Sequence, residues 1–249
     1  YRLPDSLQRT NSEFGTAYVA TMTNALNSAN AVGLSTRTDV TQVRLRARPA
    51  PGWRFELRGV ERQRNGRQPY SASFGFSDAI ELPVALSQRT TDADAIATYE
   101  KSGVRVQATA GLSTFKNDVG TLIVDHPRRY RDAASGSLAG AAQTKLDLAP
   151  DNEVVRGQLA LSWQLPKSSM LFGTITMSEG KQDDDFLPYT TNTALLQSNP
   201  DSLPGKSLGG KVSTLTGDVR FIARPLHNVS GVLRVHGEKY ENKSAEFRF

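Results

Sequence analysis

Side chains that commonly carry chemistry are few in this chain, and their spacing does not build a catalytic or metal site. His126, His227 and His236 fall in three separate segments, so they lack the short spacings that bind zinc. The acidic run at residues 183–185 offers carboxylate oxygens to calcium, but it lacks the alternating ligands and the glycine of a calcium loop. We interpret the histidines as isolated surface residues and the acidic run as a solvated loop tip.

The absence of cysteine limits the redox chemistry of the chain. With 0 Cys it cannot form a disulfide, an iron–sulfur cluster or the thioether bonds of a c-type haem. Nucleophile, metalloprotease and phosphate-binding motifs are also absent from the sequence. The sequence therefore predicts no enzyme, no metal site and no cofactor bound by this chain.

Arginine is the charged residue whose spacing is informative. Pairs such as Arg44 and Arg46 alternate with apolar residues, which places them on one face of a β-strand. We predict that this polar face binds a partner through Arg44, Arg46, Arg54, Glu56, Arg58, Arg105, Gln107, Arg156, Gln158, Arg220, Arg234 and His236. The net charge of +5 also suggests nucleic acid. We exclude that partner, because the arginines form neither a run nor a helical stripe.

Apolar residues occupy the opposite phase of the same segments and predict four β-hairpins. In the first hairpin Val43, Leu45, Phe55 and Leu57 alternate with the charged residues. The arms of the hairpins meet at four short turns, at residues 48–52, 101–103, 166–168 and 224–228. Long polar connections, predicted as loops, cover residues 65–92, 117–151 and 181–210.

This alternation favours a membrane barrel over a soluble sheet. The predicted strands have about ten or more residues, whereas soluble strands cluster near about 5–6. Aromatic residues in the apolar phase lie close to the short turns, as a girdle at a lipid interface requires; they are Trp53, Tyr99, Trp163 and Phe221. The mean hydropathy of −0.43 agrees with strands that place only every second residue in lipid.

The predicted fold class is therefore all-β, an antiparallel up-and-down transmembrane β-barrel segment in the bacterial outer membrane. It has short periplasmic turns and long extracellular loops. We expect one barrel domain over residues 1–249, with a long loop at 1–36 and four hairpins at 37–249. Eight strands closed on themselves would bury the surplus arginines without partners, so we expect a piece of a larger barrel.

Several segments also carry a family resemblance. The run GKQDDDFLPYT at residues 180–190 resembles a motif of the MtrB/PioB family of decahaem-associated outer-membrane proteins. Similar matches are LDLAPDNE at 146–153, YSASFGF at 70–76, ELP at 81–83 and RPL at 224–226. The motif residues that we single out are Asp184, Phe186, Leu187, Pro188, Tyr189 and Thr190.

The resemblance implies a barrel of more than twenty strands that holds a periplasmic multihaem c-type cytochrome in the membrane. Electrons then cross the outer membrane through the haems of that partner, and an outer-surface cytochrome can dock on the long-loop side. Membrane lipid is the other expected partner. Two alternatives stay open: a general diffusion porin with an Arg-lined, anion-favouring lumen, and a soluble β-rich binding protein.

Overall fold

A computed structural model gives the fold of the chain. It describes residues 23–24, 27–28, 31–74, 78–126, 132, 140–188, 190–192, 195, 203, 205–226 and 228–247. The strands are β1 (Thr36–Ala47), β2 (Trp53–Phe74), β3 (Asp78–Lys101), β4 (Val104–Asn117), β5 (Thr121–Asp125), β6 (Gln143–Asp147), β7 (Asn152–Leu165), β8 (Ser169–Gln182), β9 (Gly210–Leu226) and β10 (Val229–Asn242). In the described residues, no helix is long and apolar enough to cross a membrane.

Eight of these strands form one antiparallel sheet in the order β1-β2-β3-β4-β7-β8-β9-β10. Each strand pairs with the next strand of that order, and β5 and β6 form a separate hairpin. The prediction of an all-β, up-and-down antiparallel fold is confirmed. The two edges of the sheet are β1 and β10, which lie at opposite ends of the strand order.

The predicted short turns at residues 48–52, 101–103 and 166–168 are present and lie at one end of the sheet, where β9 and β10 also meet; residue 227 of the fourth predicted turn lies outside the described residues. Ser102 and Gly103 have φ of 50° and 80°, as a tight hairpin turn requires, and Lys167 and Ser168 have φ of 56° and 54°. Gly52 also has positive φ (81°), and a Cβ there would lie 2.7 Å from the carbonyl oxygen of Glu100. This glycine lets the first turn approach β3 closely.

The connections at the other end differ in part from the prediction. Residues 65–92, predicted as a loop, are mostly strand, because β2 continues to Phe74 and β3 begins at Asp78. The predicted loop at 117–151 contains the β5–β6 hairpin, whereas 181–210 holds an isolated bridge between Asp185 and Ser207. Most of the predicted loop at 1–36 lies outside the described residues.

A small hydrophobic core stabilises the part of the β2–β3 hairpin that extends past the ends of β1 and β4. Val84 is 2% exposed and packs with Leu122 and Val124 of the β5–β6 hairpin. Tyr70 and Leu82 add partly buried surface to the same cluster. Tyr70, Leu82 and Val84 lie in the phase of the polar face, because the β2–β3 register has no shift. The β5–β6 hairpin therefore covers the polar side of this extension.

Among the described residues, none covers the apolar face of the eight-stranded sheet. Leu45, Leu57 and Leu233 are 62%, 57% and 63% exposed, and they belong to a continuous surface. Soluble monomers rarely expose apolar patches larger than a few hundred Å². A lipid environment satisfies this face, because hydrocarbon accepts apolar side chains while paired strands satisfy the backbone.

The limits of the apolar face run obliquely across the strands. In one cross-strand row Val43, Ala93 and Val155 are apolar, but the same row reaches Glu179 on β8 and Glu241 on β10. At the short-turn end the aromatic residues shift in the same direction, from the row of Trp53 and Tyr99 to the next row with Trp163 and Phe221. A flat hydrocarbon slab cut by strands tilted by about 35–45° gives this displacement.

A pair of neighbours on β7 tests the assignment of faces. Leu159, 49% exposed on the apolar face, is expected to contact lipid near the middle of the bilayer, whereas the Gln158 amide donates to Thr176 Oγ1 (3.2 Å) on the polar face. Leu159→Arg should destabilise the complete barrel protein by about 2–4 kcal/mol, and Gln158→Arg by much less. Folding titrations in lipid vesicles would measure both variants, and equal costs would contradict the assignment.

Candidate functional site

The predicted partner-binding residues lie together on the polar face of the sheet. Strand alternation and a continuous register place them in neighbouring cross-strand rows, such as Arg44 beside Arg58 and Gln158 beside Thr176. Members of the set occupy β1, β2, β4, β7, β9 and β10. The structure thus brings the residues onto one surface, and their binding role stays a prediction.

Glu56 is the centre of the most charged part of this face. Its side chain, in a residue only 9% exposed, receives ion pairs from Arg46 (2.7 Å), Arg58 (3.0 Å) and Arg44 (3.2 Å). Arg44 and Arg46 are on β1, so the cluster joins two strands. One carboxylate among three guanidinium groups leaves a net charge of +2.

A second ion pair crosses an intervening strand. Arg156 on β7 reaches Asp94 on β3 at 2.6 Å, although β4 lies between them. Gly111 of β4 makes the crossing possible, because a Cβ at that position would lie 2.6 Å from both Arg156 Nε and Asp94 Oδ1. A nearby pair joins Arg62 to Asp92 at 2.5 Å.

Asp92, Asp94 and Gly111 were not predicted as site residues. The sequence interpretation ended the long loop at Asp92 and treated the strand after it as weak. The period of two, extended through Asp92 and Asp94, would have placed both carboxylates in the polar phase. The role of Gly111 depends on its register partners on the two neighbouring strands, Asp94 on β3 and Arg156 on β7, which no local pattern reveals.

The opposite edge of the polar face has a similar charged group on β9 and β10. The Asp218 carboxylate forms an ion pair with Arg234 at 2.7 Å, and His236 Nδ1 lies 3.3 Å from the same carboxylate. These contacts follow from the register, since Asp218 pairs with His236 and Arg220 with Arg234.

Three arginines of the face differ from the others in their surroundings. Among the described residues, no carboxylate lies within 4.0 Å of Arg54, Arg105 or Arg220, and Arg105 contacts the Gln107 amide oxygen at 3.4 Å. Arg58 Nε is buried and has no hydrogen-bond acceptor in the part of the chain that the structure describes. The polar face therefore presents guanidinium donors that its own acids do not use.

The predicted interface aromatics lie on the apolar face near the short turns. The Trp53 ring contacts Tyr99, with centroids 4.9 Å apart, and stacks on Phe55 at 5.7 Å. Trp163 is 43% exposed, and Leu171 separates it from Phe221 in one cross-strand row. Amphipathic rings at one level suit a membrane interface, and their contact with lipid stays a prediction.

Two of the motif segments meet at the long-loop end. The Asp184 carboxylate accepts a hydrogen bond from the Asp151 backbone N–H at 2.7 Å, which joins residues 180–190 to residues 146–153. The ring of Phe186 packs edge to face on Phe247 at 5.4 Å, and Thr190 is 1% exposed. Leu187 and Pro188 are half-buried, and Tyr189 lies outside the described residues. The motif therefore anchors loops to one another.

Asp151 also fixes the end of β4. Its carboxylate accepts from Lys116 Nζ at 2.7 Å and from the Asn117 backbone N–H at 2.8 Å. Burial opposes ionisation of Asp151, but these two donors outweigh burial and hold its pKa below the usual range.

Metal binding has no support in this part of the molecule. Within the described ranges, no three His, Cys, Asp or Glu side chains converge on a common point. In the acidic run Asp183 accepts from Ser207 Oγ, and Asp185 lies 3.7 Å from Lys206 Nζ. These carboxylates thus bind neighbouring loop residues.

The crossing over Gly111 provides a direct test of the polar network. Gly111→Ala should displace Arg156 from Asp94 and cost about 0.5–1 kcal/mol, a small value because Arg156 is half solvated. Gly157→Ala on β7 is the matched control, since its Cβ would make only an ordinary 3.5 Å contact with Met177. Unfolding of both variants in detergent gives the comparison. An equal effect would show that the ion pair does not need the glycine.

The anchor at Asp151 predicts a dependence on pH. A carboxyl group whose pKa is lowered on folding stabilises the fold above its unfolded pKa of about 3.9, and the stabilisation disappears as the pH falls through the folded value. Pepsin should therefore cut the loop before β7 faster as the pH drops below about 4. Asp151→Asn should remove most of this dependence, whereas an unchanged profile would exclude Asp151 as its source.

Comparison with known proteins agrees with the fold and with the two-faced sheet. The family model for the outer membrane beta-barrel porin MtrB/PioB matches residues 2–249 of the chain. Among curated proteins, none matches this chain. Since the match covers almost the whole sequence, the chain belongs to the MtrB/PioB family of outer membrane β-barrel porins.

Proposed function

We propose that this chain forms part of a barrel wall that holds a periplasmic multihaem c-type cytochrome within the outer membrane. The observation that carries the proposal is the excess of arginine on the polar face, which lies opposite the apolar face. A barrel places that polar face around its interior. A protein with acidic surface groups is the occupant that such an interior would favour.

The width of the sheet supports an enclosed protein. Eight strands side by side cover about 38 Å, since neighbouring strands lie about 4.8 Å apart. The backbone of β1 and β10 also needs partners, because open sheet edges do not occur in hydrocarbon. Side chains alone can fill a barrel of about eight strands, so the further strands that complete this barrel would widen its interior beyond what side chains fill.

The chemistry of the free donors suits a haem protein. Arg54, Arg105 and Arg220 offer planar guanidinium groups, which pair with carboxylates in two parallel hydrogen bonds. Asp and Glu side chains and haem propionates are carboxylates of this kind. The haem would be carried by the partner, since the chain has no cysteine for covalent attachment. The role of this chain would be to position and insulate the electron carrier.

The long-loop end offers a place for an outer-surface cytochrome. The β5–β6 hairpin, the extension of β2 and β3, and the loop after β8 contact one another there, through the small core and through Asn192 and Asp132 (2.6 Å). We place this end outside the cell and the short turns in the periplasm, as bacterial barrels usually do.

A general diffusion porin is the second candidate, and the same arginines favour it. An empty lumen lined by guanidinium groups would conduct anions, whereas a lumen filled by a cytochrome would not. Single-channel recording of the purified complete protein separates the two functions. Steady anion conductance in the form isolated from cells would support the porin.

The charge hypothesis makes a further prediction. Replacing Arg54, Arg105 and Arg220 with glutamine in the complete protein should reduce the amount of co-purified haem protein by about tenfold. The haem protein that the variant still retains should decrease further at raised salt, because its remaining partly solvated ion pairs are screened. The readout is haem absorbance per barrel after affinity purification.

A matched variant controls for the change in net charge. Arg37, Arg67 and Arg89 lie in the outward phase of β1, β2 and β3, so their replacement with glutamine should leave haem retention unchanged. Equal retention in both triple variants would exclude the polar face as the binding surface.

A further inference from the structure

Lysines gather on the outward face of the sheet where the apolar surface ends on β8, β9 and β10. Lys181, Lys211 and Lys239 lie on these three strands, and Lys243 directly follows β10, where its N–H donates to the Lys211 carbonyl at 2.7 Å. We call these four residues the lysine patch. The register places Lys181 directly beside Lys211 and Lys239 beside Leu215, so the patch belongs to the apolar side of the sheet.

Two glutamates hold the lysine patch in a defined arrangement. Glu179 contacts Lys181 and Lys211, both at 3.2 Å, and Glu241 contacts Lys239 at 2.6 Å and Lys243 at 3.4 Å. Each carboxylate thus lies between two ammonium groups, which leaves a charge of +1 in each group. Glu153 on β7, the register partner of Lys181, borders the lysine patch and brings the charge of the whole neighbourhood to +1. All four lysine side chains stay open to the surroundings, with exposures of 39–67%.

The position of the patch determines what it can meet. Met177 and Leu215 lie next to it toward the short turns, and both are exposed apolar residues. In a membrane barrel the change from exposed apolar to exposed charged residues marks the passage from hydrocarbon to headgroups. Lysines at this level can bury their methylene stems and place the ammonium among headgroups.

We propose that the lysine patch binds the phosphate groups of an anionic lipid in the outer leaflet of the membrane. Each ammonium supplies three donors and a full charge, and clustered lysines beside a membrane bind phosphorylated headgroups. The patch spans about 10 Å across three strands and about 13 Å along β9, which suits one headgroup with more than one phosphate. The inference rests on the orientation proposed above but does not require the cytochrome.

Other charged residues of the outward face do not form an equivalent patch. On β1 to β4 the corresponding level holds Arg37 with Asp39, Glu61 with Gln63, and Arg89 beside Lys116, which forms an ion pair with Asp151, so the three bases are balanced by three acids. At the short-turn end Lys101 and Lys167 belong to separate turns. The excess of positive charge with cross-strand support lies on β8 to β10.

The test measures lipid binding to the complete protein in neutral detergent. The probes are lipid A with both phosphates and the same lipid A after enzymatic removal of the phosphates, with bound lipid counted by native mass spectrometry. The native protein should bind the phosphorylated probe at least tenfold more tightly than the dephosphorylated probe. Millimolar inorganic phosphate should not displace the lipid, because a free ion lacks the acyl contacts with the apolar face.

Variants at the patch complete the test. Replacing all four lysines with glutamine should weaken binding of phosphorylated lipid A at least tenfold, whereas replacing them with arginine should retain it. Glutamine at Lys101 and Lys167 is the control at the other rim and should have no effect. Equal binding of the two probes, or unchanged binding by the four-glutamine variant with its β-sheet spectrum intact, would overturn the proposal. Haem retained in the same preparation would separate this failure from that of the proposed function.

Discussion

Backbone hydrogen bonding is the constraint on which this structure depends. Hydrocarbon offers no partner to a peptide N–H or carbonyl, so a chain that crosses it must pair every strand. The eight-stranded sheet meets that requirement by joining each strand to its neighbour over 12 or more register pairs. Once the backbone is satisfied in this way, successive side chains can face different surroundings. One face carries leucine, valine and aromatic rings, and the other carries arginine and carboxylates.

The period of two was sufficient to predict the strands inside the membrane and failed outside it. Lipid on one side and a polar interior on the other impose strict alternation from Val155 to Trp163, which is about 26 Å of strand. Beyond the membrane that requirement ends, and the extension of β2 and β3 contains Pro69 opposite Pro83. Proline suggests a loop, but both lie past the ends of β1 and β4, so no neighbouring strand of the eight-stranded sheet needs a backbone donor from them.

The same difference separates the predicted and the unpredicted parts of the site. Phase alone placed Arg44, Arg58 and Arg156 on a common face, because that needs only the local period. It could not tell which acid pairs with which base, since the partners are up to 62 residues apart in the chain. Register gave Glu56 its three arginines and brought Asp94 within reach of Arg156. It also explained Gly111, because a side chain at that position would collide with Arg156 and Asp94 on the neighbouring strands.

The oblique limits of the apolar face connect these observations to the barrel. Both limits move toward the short turns from β1 to β10, so the apolar band keeps its height while the strands pass through it at an angle. A tilt of this kind is what closure of a barrel requires. The polar face must shift by the same amount, because it belongs to the same strands. The group around Asp218 therefore lies in a cross-strand row that is nearer to the short turns than the row of Glu56. Because the strands are tilted, the two groups lie at more similar depths in the interior than their rows suggest. A partner inside the barrel would meet these two charged groups near opposite edges of the sheet at similar depth, with the guanidinium group of Arg105 on β4 between them.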